Sequence, residues 1–145
     1  MRFTIEEIHP EKEEELIVRC YDMKSDWVNY VKGVENLTDG VSGSKDGKFH
    51  RVKMKDIFYF EVVDNKSFVY CQQDVYEVKM KLYEFEEKSR GSMFFRASKS
   101  VVLNADKIDY ISPFLSGRFE AVLLNGEKVI VSRQYVSDLK HKLGM

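Results

Sequence analysis

The sequence predicts a mainly β fold with a few short helices, in the α+β class. Short apolar or alternating runs recur from residue 49 onward with turn-forming residues between them, as in antiparallel sheets. The dipeptide Asn125-Gly126 separates two of these runs and is a strong hairpin signal. In this part of the chain, only two short segments space their apolar residues as helices do.

The first forty residues predict a short β/α extension, residues 1–42. Phe3, Ile5 and Ile8 alternate as in a strand, and residues 16–21 form a second strand-like run. Ser25-Asp26 can then cap a helix. The apolar residues of that helix have near-helical spacing and are Trp27, Val28, Val31, Val34 and Leu37. Because so short a segment cannot build a large core, we expect it to pack on the body, residues 43–145, or on a second copy.

Seven strands and two helices are predicted in the body. The strand-like runs are residues 49–54, 57–63, 67–71, 75–78, 108–111, 119–124 and 128–131. The helical segments are residues 80–88, which Gly91 closes with a left-handed cap, and residues 135–142. The glycines of residues 39–47 predict a loop and a turn. Residues 94–104 place a tight polar cluster between apolar flanks.

Charge is distributed unevenly along the chain. Residues 1–40 carry 5 basic and 10 acidic residues and a net charge of −5, whereas residues 41–145 carry 18 and 14 and a net charge of +4. An acidic extension on a basic body indicates two surfaces with different roles. The alternative is that both surfaces are simply solvated.

The residues that usually carry catalysis or bind metals form no recognisable site. His9, His50 and His141 lack metal-ligand spacing and none neighbours a cysteine. Glu86-Glu87 on the first helix predicts a solvated face. Possible serine nucleophiles lie outside any nucleophile-elbow motif: Ser98, Ser100 and Ser132. No glycine-rich phosphate loop occurs either. We therefore expect no metal, no cofactor and no enzymatic activity.

The two cysteines, Cys20 and Cys71, form no C-x-x-C pair and lie in apolar runs. This predicts buried free thiols in a reducing compartment. The sequence after Met1 does not have the pattern of a signal peptide, and no apolar run approaches the roughly 18–20 residues of a membrane helix. We therefore expect a cytoplasmic protein.

Basic and polar side chains collect at predicted turns and helix starts. Arginine and lysine bind phosphates and guanine edges, glutamine reads adenine, and serine holds phosphates. The alternative for each cluster is an ordinary polar turn. The candidate DNA-binding residues are Lys66, Ser67, Arg96, Ser98, Lys99, Arg118, Arg133 and Gln134.

Four segments in one order and spacing resemble the LytTR family of bacterial DNA-binding domains. They are residues 56–61, 78–85, 94–104 and 123–135, with Ile108 between the last two, and the similarity covers roughly residues 45–143. The most specific parts are the arginine, serine and asparagine of residues 95–104 and the Asn125-Gly126 hairpin that ends in Ser132-Arg133.

The resemblance implies an elongated stack of small antiparallel β-sheets whose loops enter successive major grooves of DNA. It implies that three positions face bases or phosphates: Lys66/Ser67, Ser98/Lys99 and Arg133/Gln134. Relatives often carry a histidine where this chain has Ala97 and Ser98, and Ser67 is a short side chain at a common base-contact position. Base preference therefore cannot be copied from relatives.

We expect a stand-alone transcription regulator that binds paired DNA repeats as a homodimer. Forty residues cannot hold the receiver domain that many relatives carry, so we expect no phosphoacceptor switch in this chain. The resemblance also implies a small membrane protein that restrains the regulator. An alternative is a protein-interaction module that acts by sequestration and does not bind DNA. An enzyme acting on a small molecule has no supporting residues.

Overall fold

The computed structural model describes residues 2–24, 26, 28, 31 and 39–145, and the chain divides into two compact units, residues 1–38 and 39–145. In the first unit, residues 2–24 contain a turn after His9 but neither strand nor helix. The two strands predicted there are therefore wrong. Their apolar side chains are exposed, as Phe3 is by 82%, except for the partly exposed Ile8, so alternation alone did not produce a buried face.

The helix predicted after Ser25 is only partly described in the first unit. Asp26, Val28 and Val31 are helical. The other predicted positions lie outside the described residues: Ser25, Trp27, Val34 and Leu37.

The second unit contains ten strands and two helices. The strands are β1 (Gly40–Lys45), β2 (Lys48–Lys53), β3 (Tyr59–Val63), β4 (Lys66–Tyr70), β5 (Val75–Val78), β6 (Phe94–Arg96), β7 (Val101–Asn104), β8 (Ile108–Pro113), β9 (Phe119–Leu123) and β10 (Lys128–Val131). The helices are α1 (Leu82–Lys88) and α2 (Val136–Lys142). Short 3₁₀ turns lie at Met54–Asp56, Ala105–Lys107, Leu115–Gly117 and Arg133–Tyr135.

The strands form two antiparallel sheets. The larger has the order β2-β1-β5-β4-β3-β7-β6 and the smaller the order β10-β9-β8, and every neighbouring pair is antiparallel. The predicted mainly β fold with short helices is confirmed. The Asn125-Gly126 turn does join two antiparallel strands, with Gly126 in the left-handed region at φ 87°.

Three strands were not predicted, namely β1, β6 and β7. The glycines of β1 predicted a loop, and that prediction is wrong because Gly43 serves close packing. A Cβ on Gly43 would lie 2.6 Å from the Cβ of Tyr76 on β5, and glycine in a strand often marks such an approach. The strands β6 and β7 are three and four residues long and are the apolar flanks of the polar cluster in residues 94–104, which were not assigned to strands from the sequence.

Adjacent phenylalanines at the start of β6 serve two different cores. Phe94 belongs to the core beneath α1, where the ring of Phe85 stacks on Phe60 at 4.6 Å and meets Phe94 edge-on at 5.3 Å. Phe95 belongs to the core that the smaller sheet and α2 cover, with Leu139 fully buried. Burying each such side chain stabilises the fold by about 1.5–3 kcal/mol. Strands β6 and β7 are thus held from both faces.

The two cysteines differ in exposure. Both are free; Cys71 is half-buried and Cys20 is exposed, so the predicted burial of Cys20 is wrong. Burial, with the nearby carboxylates of Asp56 and Asp74, raises the pKa of the Cys71 thiol to about 11. Within the described part of the chain, no helix has the length and hydropathy needed to cross a membrane.

Candidate nucleic-acid interface

The predicted basic clusters lie in or beside four connecting segments, three between consecutive strands and one after the last strand. The β3–β4 turn, residues 64–65, precedes Lys66, and the β6–β7 loop is residues 97–100. The β10 exit, residues 132–134, follows the last strand, and the β8–β9 turn is residues 114–118. All four therefore sit at strand ends and none lies in α1 or α2, although two of them overlap the 3₁₀ turns Leu115–Gly117 and Arg133–Tyr135.

Backbone hydrogen bonds join three of these connections side by side. The amide of Val62, next to the β3–β4 turn, donates to the carbonyl of Ser100 at 3.0 Å. On the other side, the amide of Ser132 donates to the carbonyl of Ala97 at 2.8 Å. The β6–β7 loop is therefore fixed between the end of β3 and the β10 exit, although these segments are far apart in sequence.

The β6–β7 loop and the β10 exit line one open groove of about 510 Å³. Its six lining residues are Ser98, Lys99, Ser100, Ser132, Arg133 and Gln134. Lys99, Arg133 and Gln134 are exposed and the serines are partly exposed. The lining carries two cations, no carboxylate, three hydroxyls and one amide, which is the chemistry that binds phosphates and base edges. We call this feature the loop groove.

The β3–β4 turn presents Lys66 but not Ser67. Asp64 and Asn65 have φ values of 49° and 62°, as a two-residue type I′ hairpin requires. Lys66 is exposed at the start of β4, whereas Ser67 is only 9% exposed. Successive strand residues point to opposite faces, and Ser67 shares its face with the buried Val69. This burial revises the expected role of Ser67 in reading bases.

Arg96 lies beneath the β6–β7 loop with its guanidinium directed at the protein. Nε donates to the carbonyl of Ser98 and Nη2 to that of Lys99, each at 2.6 Å. Nη1 forms an ion pair with Glu86 of α1, and the guanidinium lies 5.9 Å from the ring centre of Tyr135. With its donors so engaged, Arg96 is not placed as a simple phosphate ligand, which revises the expectation from the sequence.

Arg118 is also engaged within its own turn. Its Nε donates to the carbonyl of Leu115 at 3.0 Å, and its guanidinium stacks over the Phe114 ring at 4.9 Å. The turn brings Gly117, at φ 74°, against Arg133: a Cβ on Gly117 would lie 3.0 Å from Cδ of Arg133. The β8–β9 turn thus supports one wall of the loop groove.

Three residues of this region were not predicted from the sequence. Glu86 was expected on a solvated face, which holds for its neighbour Glu87 but not for Glu86 itself, whose side chain is 39% exposed and paired with Arg96. Gly117 was not a candidate, and Tyr135 entered only as the last residue of the family-like segment 123–135. Their partners are distant in sequence, so no local pattern could identify them.

Comparison with known proteins gives one consistent family. The family model described as "LytTr DNA-binding domain" matches residues 47–144. A sensory transduction protein, LytT, of Enterococcus faecalis is 32% identical over 100 residues, which are 69% of this chain and 41% of that protein. The transcriptional regulatory protein YpdB of Escherichia coli K12 is 30% identical over 108 residues, 74% of this chain and 44% of that protein.

A solved structure is similar over nearly its whole length. It is the LytTr DNA-binding domain of a putative methyl-accepting/DNA response regulator from Bacillus cereus, with a TM-score of 0.69 and 28% sequence identity. The match covers 74% of this chain and 98% of that one. By contrast, this chain spans less than half the length of the two curated relatives.

Proposed function

Because the chain belongs to the LytTr DNA-binding domain family, we propose that it regulates bacterial transcription by binding specific sequences of double-stranded DNA. The observation that carries the proposal is the loop groove, because Lys99, Arg133 and Gln134 are exposed together there without an acidic lining residue. Lys66 extends the same basic chemistry to the neighbouring turn. In a bacterium the proposed place of action is the cytoplasm, where the DNA lies.

Each side chain has a proposed role. Lys66, Lys99 and Arg133 attract phosphates, and phosphate contacts fix the register of a protein on the duplex. Ser98, Lys99 and Gln134 read base edges, since lysine pairs with guanine and glutamine with adenine in the major groove. Arg118 stabilises its turn and adds positive potential. Arg96 and Ser67 leave the set of direct contacts because of their partners and burial.

Loops, and not a recognition helix, enter the DNA in this proposal. All the exposed candidate side chains lie at strand ends, whereas α1 and α2 are seven residues each. The B-form major groove is about 12 Å wide and admits protein elements of this size. Three adjacent connections offer more than one point of entry, which supports contacts in successive grooves.

We also propose a homodimer on paired repeats, with residues 1–42 as the dimerisation or partner-binding segment. The segment is acidic, with a net charge of −5 over residues 1–40, so it does not favour DNA itself and leaves that task to the body. A small membrane protein that restrains the regulator is a further candidate partner for the same segment.

A gel-shift assay with a duplex enriched from a random pool tests the proposed surface. The double variant Lys99→Ala, Arg133→Ala should lose affinity, and each single substitution should cost on the order of 1–3 kcal/mol. Wild-type affinity in the double variant would show that the surface is wrongly assigned. Retention of a protein partner without a salt-dependent DNA shift would instead favour an interaction module that acts by sequestration.

A further inference from the structure

The guanidinium of Arg96 is the point at which α1, the β6–β7 loop and the β10 exit meet. It donates to the carbonyls of Ser98 and Lys99 at 2.6 Å each and pairs with Glu86. It also lies over the ring of Tyr135, just beyond the β10 exit. One side chain therefore holds two consecutive peptide groups of the loop whose side chains line the loop groove.

Backbone hydrogen bonds hold the two ends of this loop, since the amide of Ser132 donates to the carbonyl of Ala97 at 2.8 Å and that of Val62 to the carbonyl of Ser100 at 3.0 Å. Ala97 and Ser98 donate to the carbonyl of Val101 at 2.9 and 3.3 Å, and the amide of Ser100 donates to the Ser98 hydroxyl at 3.3 Å. The contacts from Arg96 are shorter and charge-assisted, and such hydrogen bonds are about twice as strong as neutral ones. The conformation of the two middle residues, Ser98 and Lys99, therefore depends on where the guanidinium is held.

Glu86 determines that position from outside the loop. It lies on α1 directly after Phe85, whose ring is fully buried, so the helix is fixed to the sheet at this point. The Arg96 and Glu86 side chains are 25% and 39% exposed, so the pair is partly shielded from water. A carboxylate facing a guanidinium offers directional acceptors, and here it holds Nη1 while Nε and Nη2 hold the two carbonyls.

We propose that Glu86 and Arg96 are positioning residues for DNA recognition: they preorganise the β6–β7 loop so that Ser98 and Lys99 meet the DNA in one geometry. The inference rests on the proposed function, since it concerns the same surface. It gives an acidic residue a favourable role in binding a polyanion, although Glu86 is no part of the groove lining.

A positioning role for Glu86 and simple electrostatics predict opposite changes in DNA affinity when the carboxylate is removed. Removing a carboxylate makes the protein more positive and should strengthen DNA binding by charge alone. Loss of preorganisation should weaken it, because the loop must then be ordered at the moment of binding. Glu87 is the matched control, since it is the next residue on the same helix and pairs only at the exposed surface with Arg90, at 2.6 Å.

The test compares Glu86→Ala with Glu87→Ala on a duplex enriched by the wild-type protein and on a scrambled duplex. We expect Glu86→Ala to weaken specific binding about tenfold, the scale of a hydrogen bond to a charged group, without weakening binding to the scrambled duplex. Glu87→Ala should bind the enriched duplex as wild type does or slightly more tightly. Equal or tighter specific binding by Glu86→Ala, relative to Glu87→Ala, would overturn the inference.

Amide hydrogen exchange provides a readout that needs no DNA. The amides of residues 97–100 should exchange faster in Glu86→Ala than in Glu87→Ala. The amides of Phe60 and Phe94, whose rings pack on Phe85 of α1, should exchange at the same rate in both variants. If the wild-type protein enriches no duplex, the proposed function fails, and equal exchange rates in the two variants would separately overturn the positioning role. Should Glu86→Ala not fold, Glu86→Gln replaces it, with a smaller loss of specific affinity expected and a gain contradicting the inference.

Discussion

Arg133 passes so close to Gly117 that a Cβ on the glycine would lie 3.0 Å from the arginine Cδ. Gly117 therefore does two things: it adopts φ 74° in its turn, and it leaves room for the stem of a side chain in the loop groove.

Gly117→Ala should weaken DNA binding although Gly117 itself is not a groove residue. The new methyl group would displace Arg133, and the left-handed conformation would cost about 1 kcal/mol in stability. Gly126→Ala is the control, since Gly126 has φ 87° but no atom within 4 Å of the added Cβ. Gel shifts and thermal unfolding of both variants check this. Equal affinity in the two variants would exclude a displaced Arg133.

Lys99→Ala and Arg133→Ala should each reduce affinity by roughly 1–3 kcal/mol and, if the side chain binds a phosphate, lower the salt slope by about 1. Lys48→Ala removes the same charge at the opposite end of the larger sheet. It lies in the β1–β2 hairpin, where the neighbouring Lys45 pairs with Asp74 of the β4–β5 turn. Titrations at several salt concentrations separate the groove from general charge, and an equal loss in Lys48→Ala would contradict the assignment.

Ser67→Ala should leave DNA affinity nearly unchanged, whereas Lys66→Ala should weaken it. The two residues are adjacent, but Ser67 is 9% exposed and Lys66 is exposed. Removing a lysine that binds one phosphate should reduce the salt slope by about 1. A large loss of affinity in Ser67→Ala, without a loss of thermal stability, would restore the direct role that the sequence predicted for it.

The different exposure of Ser67 and Lys66 could not be predicted from the sequence. The assignment of candidates to turns could be made from the pattern of strands and from family resemblance. Which face Ser67 takes depends on the register of β4, and a shift of one residue reverses it. The roles of Arg96 and Glu86 depend on a contact between α1 and a loop ten residues away, which no local periodicity encodes.

Most strands were predictable because the signal for them lies within their own residues and the turns beside them. The apolar runs that contain β3 and β9 are bounded by turn residues and so give a strand signal of their own, whereas β1 contains the glycine that its packing on Tyr76 requires. A glycine is read as a loop signal unless the neighbouring strand is known. Residues 3–8 show the reverse error, because alternation there has no buried face.

The two thiols should react at different rates with a thiol reagent near pH 8. The thiolate is the reactive form, and the pKa of Cys71 is raised to about 11 by burial and nearby carboxylates, so almost none is ionised. Cys20 is exposed and should label first. Cys20→Ser should remove the fast phase and leave the slow one. A fast phase that persists in Cys20→Ser would contradict the burial of Cys71.

Selection from a random duplex pool shows most directly whether this chain recognises DNA through the loop groove. Wild-type protein should enrich one repeated motif, with repeats separated by about 10–10.5 base pairs or a multiple, as two copies on one face of the helix require. The Lys99→Ala, Arg133→Ala double variant should enrich no motif. Selection by wild type that leaves the pool unchanged, or an identical motif from the double variant, would contradict DNA recognition through the loop groove.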